Sequence, residues 1–358
     1  MPLKTKLSER LGLRAPIFQA PMAGATTPEL VLAVGGAGAL GGFGAAYMEP
    51  AALKEAVQKV RTASAVPIHI NLFVEKPARE PSAAQLGAAA AALGPAFQAL
   101  GVPMPEALPP PYCPDLSAQV ENALALKPAV LSSHFNPFPP DVMKEAKKLG
   151  ILIGGSATTL EEAQHLESLG VDFIIAQGAE AGGHRGTFTG AAEVGLIGSI
   201  ALVRLIATKT KTPVVAAGGI MDGAGIAAAL ALGAQAVQMG TAFLACAESG
   251  APAQHKQAVL KLGTRGTAVT AAFSGRAARG IRNRFMDHAA AHPGPILDFP
   301  AQHRLTVPLR TESNKQGTPD FVALWAGQGY PLAREAGAAE LIEAWMQEAR
   351  DVLAGLNS

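Results

Sequence analysis

Short apolar runs bounded by Gly and Pro alternate with longer stretches of helical period, and the pair recurs eight times before residue 247. Nothing else in the chain restricts its fold so strongly. Strand, helix and strand in succession demand parallel pairing through right-handed crossovers. Strands are expected at Pro16–Ala20, Ala39–Phe43, Ile68–Phe73, Ala129–His134, Ile151–Ser156, Phe173–Gln177, Val214–Gly218 and Ala236–Ala242. Helical patterns fill the gaps, at Thr27–Val34, Pro50–Arg61, Pro140–Leu149, Thr159–Leu169, Ile197–Thr208 and Asp222–Leu232. Eight such units in about 245 residues match the length of a (β/α)8 TIM barrel. A doubly wound open sheet uses the same units and is the alternative.

After residue 246 the repeat stops. Residues 247–317 scatter Pro, Gly, Arg and His without a βα period, and read as a smaller, mostly helical region over one end of the barrel. A last helix, Leu332–Leu356, returns to the barrel, so the barrel domain comprises 1–246 and 318–358. The Pro-rich GPAFQALGVPMPEALPPPYCPD reads as an insertion between the third and fourth strands, and the Ala-rich segment before it as an ordinary helix.

Composition narrows the classes of function. Apolar residues make up 49% of the 358 and charged ones 16%, enough for a large buried core. A net charge of +1 gives no basic footprint for nucleic acid. Cys113 and Cys246 are too few for a disulfide framework or a zinc site, and fit a reducing compartment. The N-terminus lacks the apolar stretch of a signal peptide, and no run of about 18 apolar residues suggests a membrane span. A soluble cytoplasmic protein is expected.

In parallel α/β barrels the chemistry sits where strands end. Gly218 and Gly219 follow the seventh strand; Gly240 and Thr241 follow the eighth. Such paired loops cradle a phosphate with bare backbone N–H groups, a hydroxyl and a helix N-terminus, unless the glycines only make tight turns. The segment Gly36-Ala-Gly38-Ala-Leu-Gly41 matches a dinucleotide fingerprint by letter. It precedes a strand instead of following one, which rules out a Rossmann reading. Asn71 and Gln177, near the ends of their strands, offer donors and acceptors to a flat heterocycle. His69 lies deeper and reads as a core histidine.

The stretch AQGAEAGGHRG, residues 176–186, sets His184 among glycines directly after the sixth strand. A surface loop is the plain alternative. His134 ends the fourth strand, and the two histidines face one cavity in a barrel. No third ligand stands at a recognised spacing, so no metal is expected.

Taken together, QAPMAGATTPEL, INLF, SSHFNP, AQGAEAGGHRG, VVAAGGIMDG, AVQMGTAFL and DFVALWAGQG resemble the nitronate monooxygenases, formerly 2-nitropropane dioxygenases, and in particular the bacterial class I enzymes. The motifs run in order from residue 19 to 329. The resemblance implies a barrel holding noncovalent FMN, with its phosphate near the seventh and eighth loops. It implies flavin contacts from Pro21, Met22, Asn71, Gln177, Gly182, Gly183, Gly218, Gly219, Gln238, Met239, Gly240 and Thr241. It places His184 as the active-site histidine, and His134 and Tyr112 on the substrate side. The SSHFNP segment departs from the family's usual pattern, which bears on substrate preference. The activity implied is oxidation of alkyl nitronates, such as propionate 3-nitronate, by O2 to carbonyl compounds and nitrite, in a monomer or homodimer. His184 would remove a nitroalkane α-proton, or bond a nitronate as imidazolium. Glu180 and Arg185 read as a salt bridge or as solvated positions, with orientation of His184 as the other role. Similar barrels also serve as NAD(P)H-dependent quinone or enoyl-acyl-carrier reductases. The EAGGHRG motif favours the monooxygenase over that reading, an intact His184 argues against a silent flavin carrier, and a flavin-free sugar-phosphate enzyme with the same phosphate loops would be colourless.

Overall fold

The computed structural model describes residues 3–75, 79–261 and 265–356. Aliphatic runs buried on both faces form the short strands of a parallel sheet, as a core covered by helices requires. In chain order these are β1 (Ile17–Gln19), β2 (Gly41–Gly44), β3 (Ile68–Val74), β4 (Val130–Phe135), β5 (Leu152–Ala157) and β6 (Phe173–Gln177), then, beyond a two-residue strand β7 (Gly183–His184), β8 (Val214–Ala217) and β9 (Ala236–Met239). The order β1-β9-β8-β6-β5-β4-β3-β2 is parallel throughout. Its ends meet where Gln19 N–H donates to the Leu40 carbonyl (2.8 Å) and Leu40 N–H to that of Ile17 (2.9 Å). That bridge makes the sheet a (β/α)8 barrel and not an open doubly wound sheet.

Local chemistry starts the intervening helices. Thr27, Thr159 and Asp222 each accept from a backbone N–H in the first turn, and Pro stands at the start of the Pro28–Gly36, Pro50–Ala63 and Pro140–Lys148 helices. Inside the barrel, Phe18 meets Phe173 edge-on at 5.7 Å, and Leu7 and Leu13 join the same buried cluster from the N-terminal segment. The outer core lies between strands and helices, where Trp345 of the Ala338–Gly355 helix is 1% exposed.

Three expectations need adjustment. The last barrel strand stops at Met239, because Gly240 turns the chain into the short Thr241–Leu244 helix; a brief apolar run carries no period to show this. The C-terminal helix starts at Ala338, after a 3-10 turn at Tyr330–Leu332. Beside its helices, the segment 247–317 also contains β10 (Thr267–Thr270) and β11 (Ala278–Ile281). β11 pairs antiparallel with β10 and with β7, placing Ala278 opposite His184. The Ala83–Leu100 helix packs on this segment too, its Leu93 and Phe97 clustering with Phe273, Phe285 and Leu305. No helix among the described residues is long and apolar enough to cross a membrane.

Candidate active site

The C-terminal ends of the barrel strands and the 267–329 segment enclose a cavity of about 600 Å³, within the range of small-molecule and cofactor sites. Pro21, Met22, Asn71, His134, Gln177, Gly182, Gly183, His184, Gly218, Gly219, Gln238, Gly240 and Thr241 line it. Two residues singled out in the sequence do not. Met239 turns outward into the helix-covered core, since alternation along β9 gives the inner face to Gln238. Tyr112 is packed in the cluster around Phe97 and Phe285, its hydroxyl donating to the Leu108 carbonyl (3.1 Å). Tyr47, just after β2, lines the cavity instead.

The chain bearing His184 is held from below. His134 Nε2 donates to the His184 carbonyl (3.0 Å), so His134 Nδ1 accepts from Ser156 Oγ (2.9 Å). Both ring nitrogens of His134 are therefore used inside the protein, and burial lowers its pKa to about 4. Gln177 donates to the same carbonyl (2.9 Å) and accepts from Gly186 N–H (2.7 Å). Its amide positions the loop, which leaves one N–H and one oxygen lone pair for a heterocycle in the cavity it lines. Asn71 donates to Ser132 Oγ (2.7 Å) and leaves its amide oxygen without a protein donor among the described residues. Beneath it His69, fully buried, bonds Ser132 (2.6 Å), and desolvation lowers its pKa to about 3.

Arg185 and Glu180 do not pair with each other. The Arg185 guanidinium is buried and donates to the carbonyls of Gly178 (2.7 Å), Gln177 (2.8 Å) and Gly195 (3.0 Å). Glu180 accepts from Ser199 N–H (2.9 Å) and Oγ (2.8 Å), capping the Ser199–Lys209 helix. Glu162, which the sequence did not single out, is 0% exposed and accepts from Thr158 N–H (2.7 Å) and Oγ1 (2.8 Å), Phe188 N–H (2.6 Å) and Thr189 N–H (2.9 Å). It ties the far end of the His184 loop to β5. Glu162→Ala strands these donors in the interior and is expected to cost roughly 2–4 kcal/mol, read as a lower Tm; an unchanged Tm would refute this role.

Two glycine positions have separate causes. A side chain at Gly182 would meet the Ala326 backbone carbon at 2.5 Å, so the close passage of the 326–327 backbone already requires glycine there. Gly218 and Gly219 have φ of 113° and 75°, reachable without strain only by glycine. The amides of Gly219 and Gly240 donate to no protein acceptor among the described residues, and the Thr241 hydroxyl accepts from Gly327 N–H (3.0 Å) with its own proton left to donate. The helix after β8 adds nothing to this cradle. Asp222 accepts from Gly225 N–H (2.9 Å) and Glu348 from Gly223 N–H (3.0 Å), so carboxylates already occupy its N-terminus.

His184 stands over the cavity among aromatic rings. Phe73 (5.5 Å), Trp325 (5.6 Å), Phe135 (5.8 Å) and Phe299 (5.9 Å) surround it. Its Nε2 lies 2.9 Å from Ser274 Oγ. Burial, reinforced by His134, His303, Arg276 and Arg310, holds its pKa well below the usual histidine value. That direction favours the neutral ring over the imidazolium. The SSHFNP segment ends β4 on Phe135 in the left-handed region (φ 75°), a conformation costing on the order of 1–2 kcal/mol outside glycine. The Arg276 guanidinium lies 3.8 Å above that ring.

The opposite wall was not anticipated. Tyr47 stacks on His303 at 4.3 Å, and Arg310 Nη2 donates to the His303 carbonyl (2.9 Å). Arg310 pairs with no carboxylate among the described residues, and its buried Nε and the Tyr47 hydroxyl have no partner. His303, Arg310 and Asn314 are seven and four residues apart in the Ala301–Lys315 helix, hence on one face. That spacing was the available signal. Among the described residues, no three His, Cys, Asp or Glu side chains gather as a metal set.

The nitronate monooxygenase family profile matches residues 4–348 of this chain. The chain is 42% identical to a nitronate monooxygenase from Pseudomonas aeruginosa, over 96% of this chain and 99% of that protein. It is 42% identical to one from Paraburkholderia phytofirmans, over 95% and 93%. A solved nitroalkane oxidase from Streptomyces ansochromogenes superposes with a TM-score of 0.89 at 36% identity, covering 98% of this chain and 99% of that one. FabK from Thermotoga maritima superposes with a TM-score of 0.77 at 27% identity, covering 99% and 98%.

Proposed function

Since this chain belongs to the nitronate monooxygenase family, a family of flavin-dependent oxidoreductases, we propose that it uses FMN and O2 to convert alkyl nitronates into carbonyl compounds and nitrite. The residues present fit FMN. Gly218, Gly219, Gly240 and Thr241 would hold a single terminal phosphate, and no dinucleotide fingerprint accompanies them. Gln238, whose buried Oε1 has no partner, and Asn71 Oδ1 are the two acceptors available to the single ring N–H of an oxidised flavin. When bound, FMN supplies the electron-transfer and oxygen chemistry.

The protein supplies geometry and a base. The neutral His184 ring can accept an α-proton from a nitroalkane on the nitrogen facing the cavity, while His134 and Gln177 hold its backbone in place. Four aromatic rings pack around that position.

One observation carries the substrate class: the unpaired guanidinium of Arg310 in the wall of the cavity that His184 lines. Buried charges in proteins are paired, so an anion-binding role is the reading that explains it. A nitronate carrying a second, carboxylate group satisfies it; propionate 3-nitronate is such a molecule. The Tyr47 hydroxyl would donate to the same group. The family and the Streptomyces structure favour this reading over an NAD(P)H-dependent quinone or enoyl-acyl-carrier reductase.

The purified protein is expected to be yellow and to release FMN, not FAD, on denaturation. With propionate 3-nitronate in air it should consume O2 and form nitrite without NADH. Rapid NADH oxidation in the presence of a quinone, with no response to nitronate, would overturn the assignment. Release of FAD would overturn the phosphate site.

A further inference from the structure

We propose that Ser274 is a positioning residue that fixes the tautomer of His184, so that the Nδ1 lone pair faces the cavity. Its significance for the reaction rests on the nitronate and nitroalkane reading above.

The argument is one of hydrogen counting. Ser274 is 2% exposed and lies in the turn that precedes β11, the strand paired with His184. Its hydroxyl has three polar neighbours: His184 Nε2 at 2.9 Å, the Arg276 carbonyl at 3.1 Å and the Arg276 N–H at 3.3 Å. A hydroxyl carries one hydrogen and can accept twice. The Arg276 carbonyl is an acceptor only, so the one arrangement that satisfies all three contacts at once gives it that hydrogen. The Arg276 N–H and the imidazole are then the two donors, and Nε2 must bear the ring proton. Nδ1 keeps its lone pair, in a ring that borders the cavity.

Among the described residues, no other hydrogen bond reaches the His184 ring. His134 and Gln177 bond the His184 backbone carbonyl and not its ring. The groups packed around the ring are otherwise aromatic: Phe73, Phe135, Phe299 and Trp325. A carboxylate behind an imidazole both orients it and stabilises its charged form. A serine orients it without supplying a counter-charge. When a nitroalkane α-C–H bond breaks, its proton forms the Nδ1–H bond and the C–H electron pair moves into the nitro group, giving the nitronate.

The test uses holoenzyme labelled with 15N-histidine, the His184 resonances being identified by their loss in His184→Asn. In the native protein Nδ1 should be pyridine-type and Nε2 pyrrole-type. Ser274→Ala should give a mixture of tautomers, and Ser274→Thr should retain one. In turnover, Ser274→Ala should lower kcat for nitroethane at least about tenfold with little change in KM, as expected when a general base is mis-set. Its rate on pre-formed ethylnitronate should stay within about threefold, and Ser274→Thr should recover the nitroethane rate. A pyridine-type Nε2 in the native protein, an unchanged tautomer in Ser274→Ala, or equal losses on both substrates would overturn the proposal. Failure of the native enzyme on every nitronate would instead defeat the functional reading, and the tautomer measurement would still decide this one.

Discussion

Replacing His184 with asparagine is expected to lower kcat/KM for neutral nitroalkanes by roughly 10²–10⁴-fold, the usual contribution of a positioned general base. Pre-formed nitronates have already lost that proton, so their turnover should fall by no more than about tenfold. The pH dependence follows from the direction of the shift. Burial lowers the His184 pKa well below its usual value, so the base form persists through pH 6.5 and is lost only as pH falls further. Nitroalkane kcat/KM should therefore be level from pH 8 down through 6.5, then decline. A decline centred on the ordinary histidine range would overturn the lowered pKa, and equal losses on both substrate types in His184→Asn would show that His184 acts through binding and not as the base.

Arg310→Met tests the other wall of the cavity. Removing one member of a desolvated, charge-assisted contact costs about 2–5 kcal/mol, so kcat/KM for propionate 3-nitronate should drop about 30-fold or more. Ethylnitronate has no carboxylate to present, and its kcat/KM should change by less than about threefold. Stability should move the opposite way. The guanidinium is buried without a carboxylate partner, so methionine of similar length should leave the Tm of the ligand-free enzyme unchanged or raised. Equal losses on the two nitronates would mean that Arg310 shapes the pocket and reads no second anion. A lower Tm would mean that its bonds to His303 are structural.

The sequence by itself was enough for the repeated parallel βα units, while closure into a barrel rests on the bridge between Phe18 and Leu40. Parallel strands buried on both faces must be continuous apolar runs, and crossover helices must return between them, so the alternation is visible without any tertiary information. Eight strands were legible to within a residue or two, apart from the tail of the last. The glycines after β8 were legible for a similar reason, since positive φ leaves a mark in residue type, whereas Gly240 after β9 has a negative φ. His184 was visible as a polar side chain among glycines.

Tertiary structure decided what each of these groups does. Whether an amide serves a ligand or the protein depends on a partner distant in sequence. Gln177 gives one donor and one acceptor to the loop it precedes, and the Asn71 amide nitrogen is engaged by Ser132. The state of His184 depends on β11, about 90 residues later, because pairing with that strand brings Ser274 to its ring and buries it among four aromatics. Tyr112 and Tyr47 are both plausible by composition, and only packing puts one in the core and the other in the cavity. Strand and helix periods are written in near neighbours. The protonation and partnering of a buried polar group are set by whatever the fold places against it, and no local pattern encodes that.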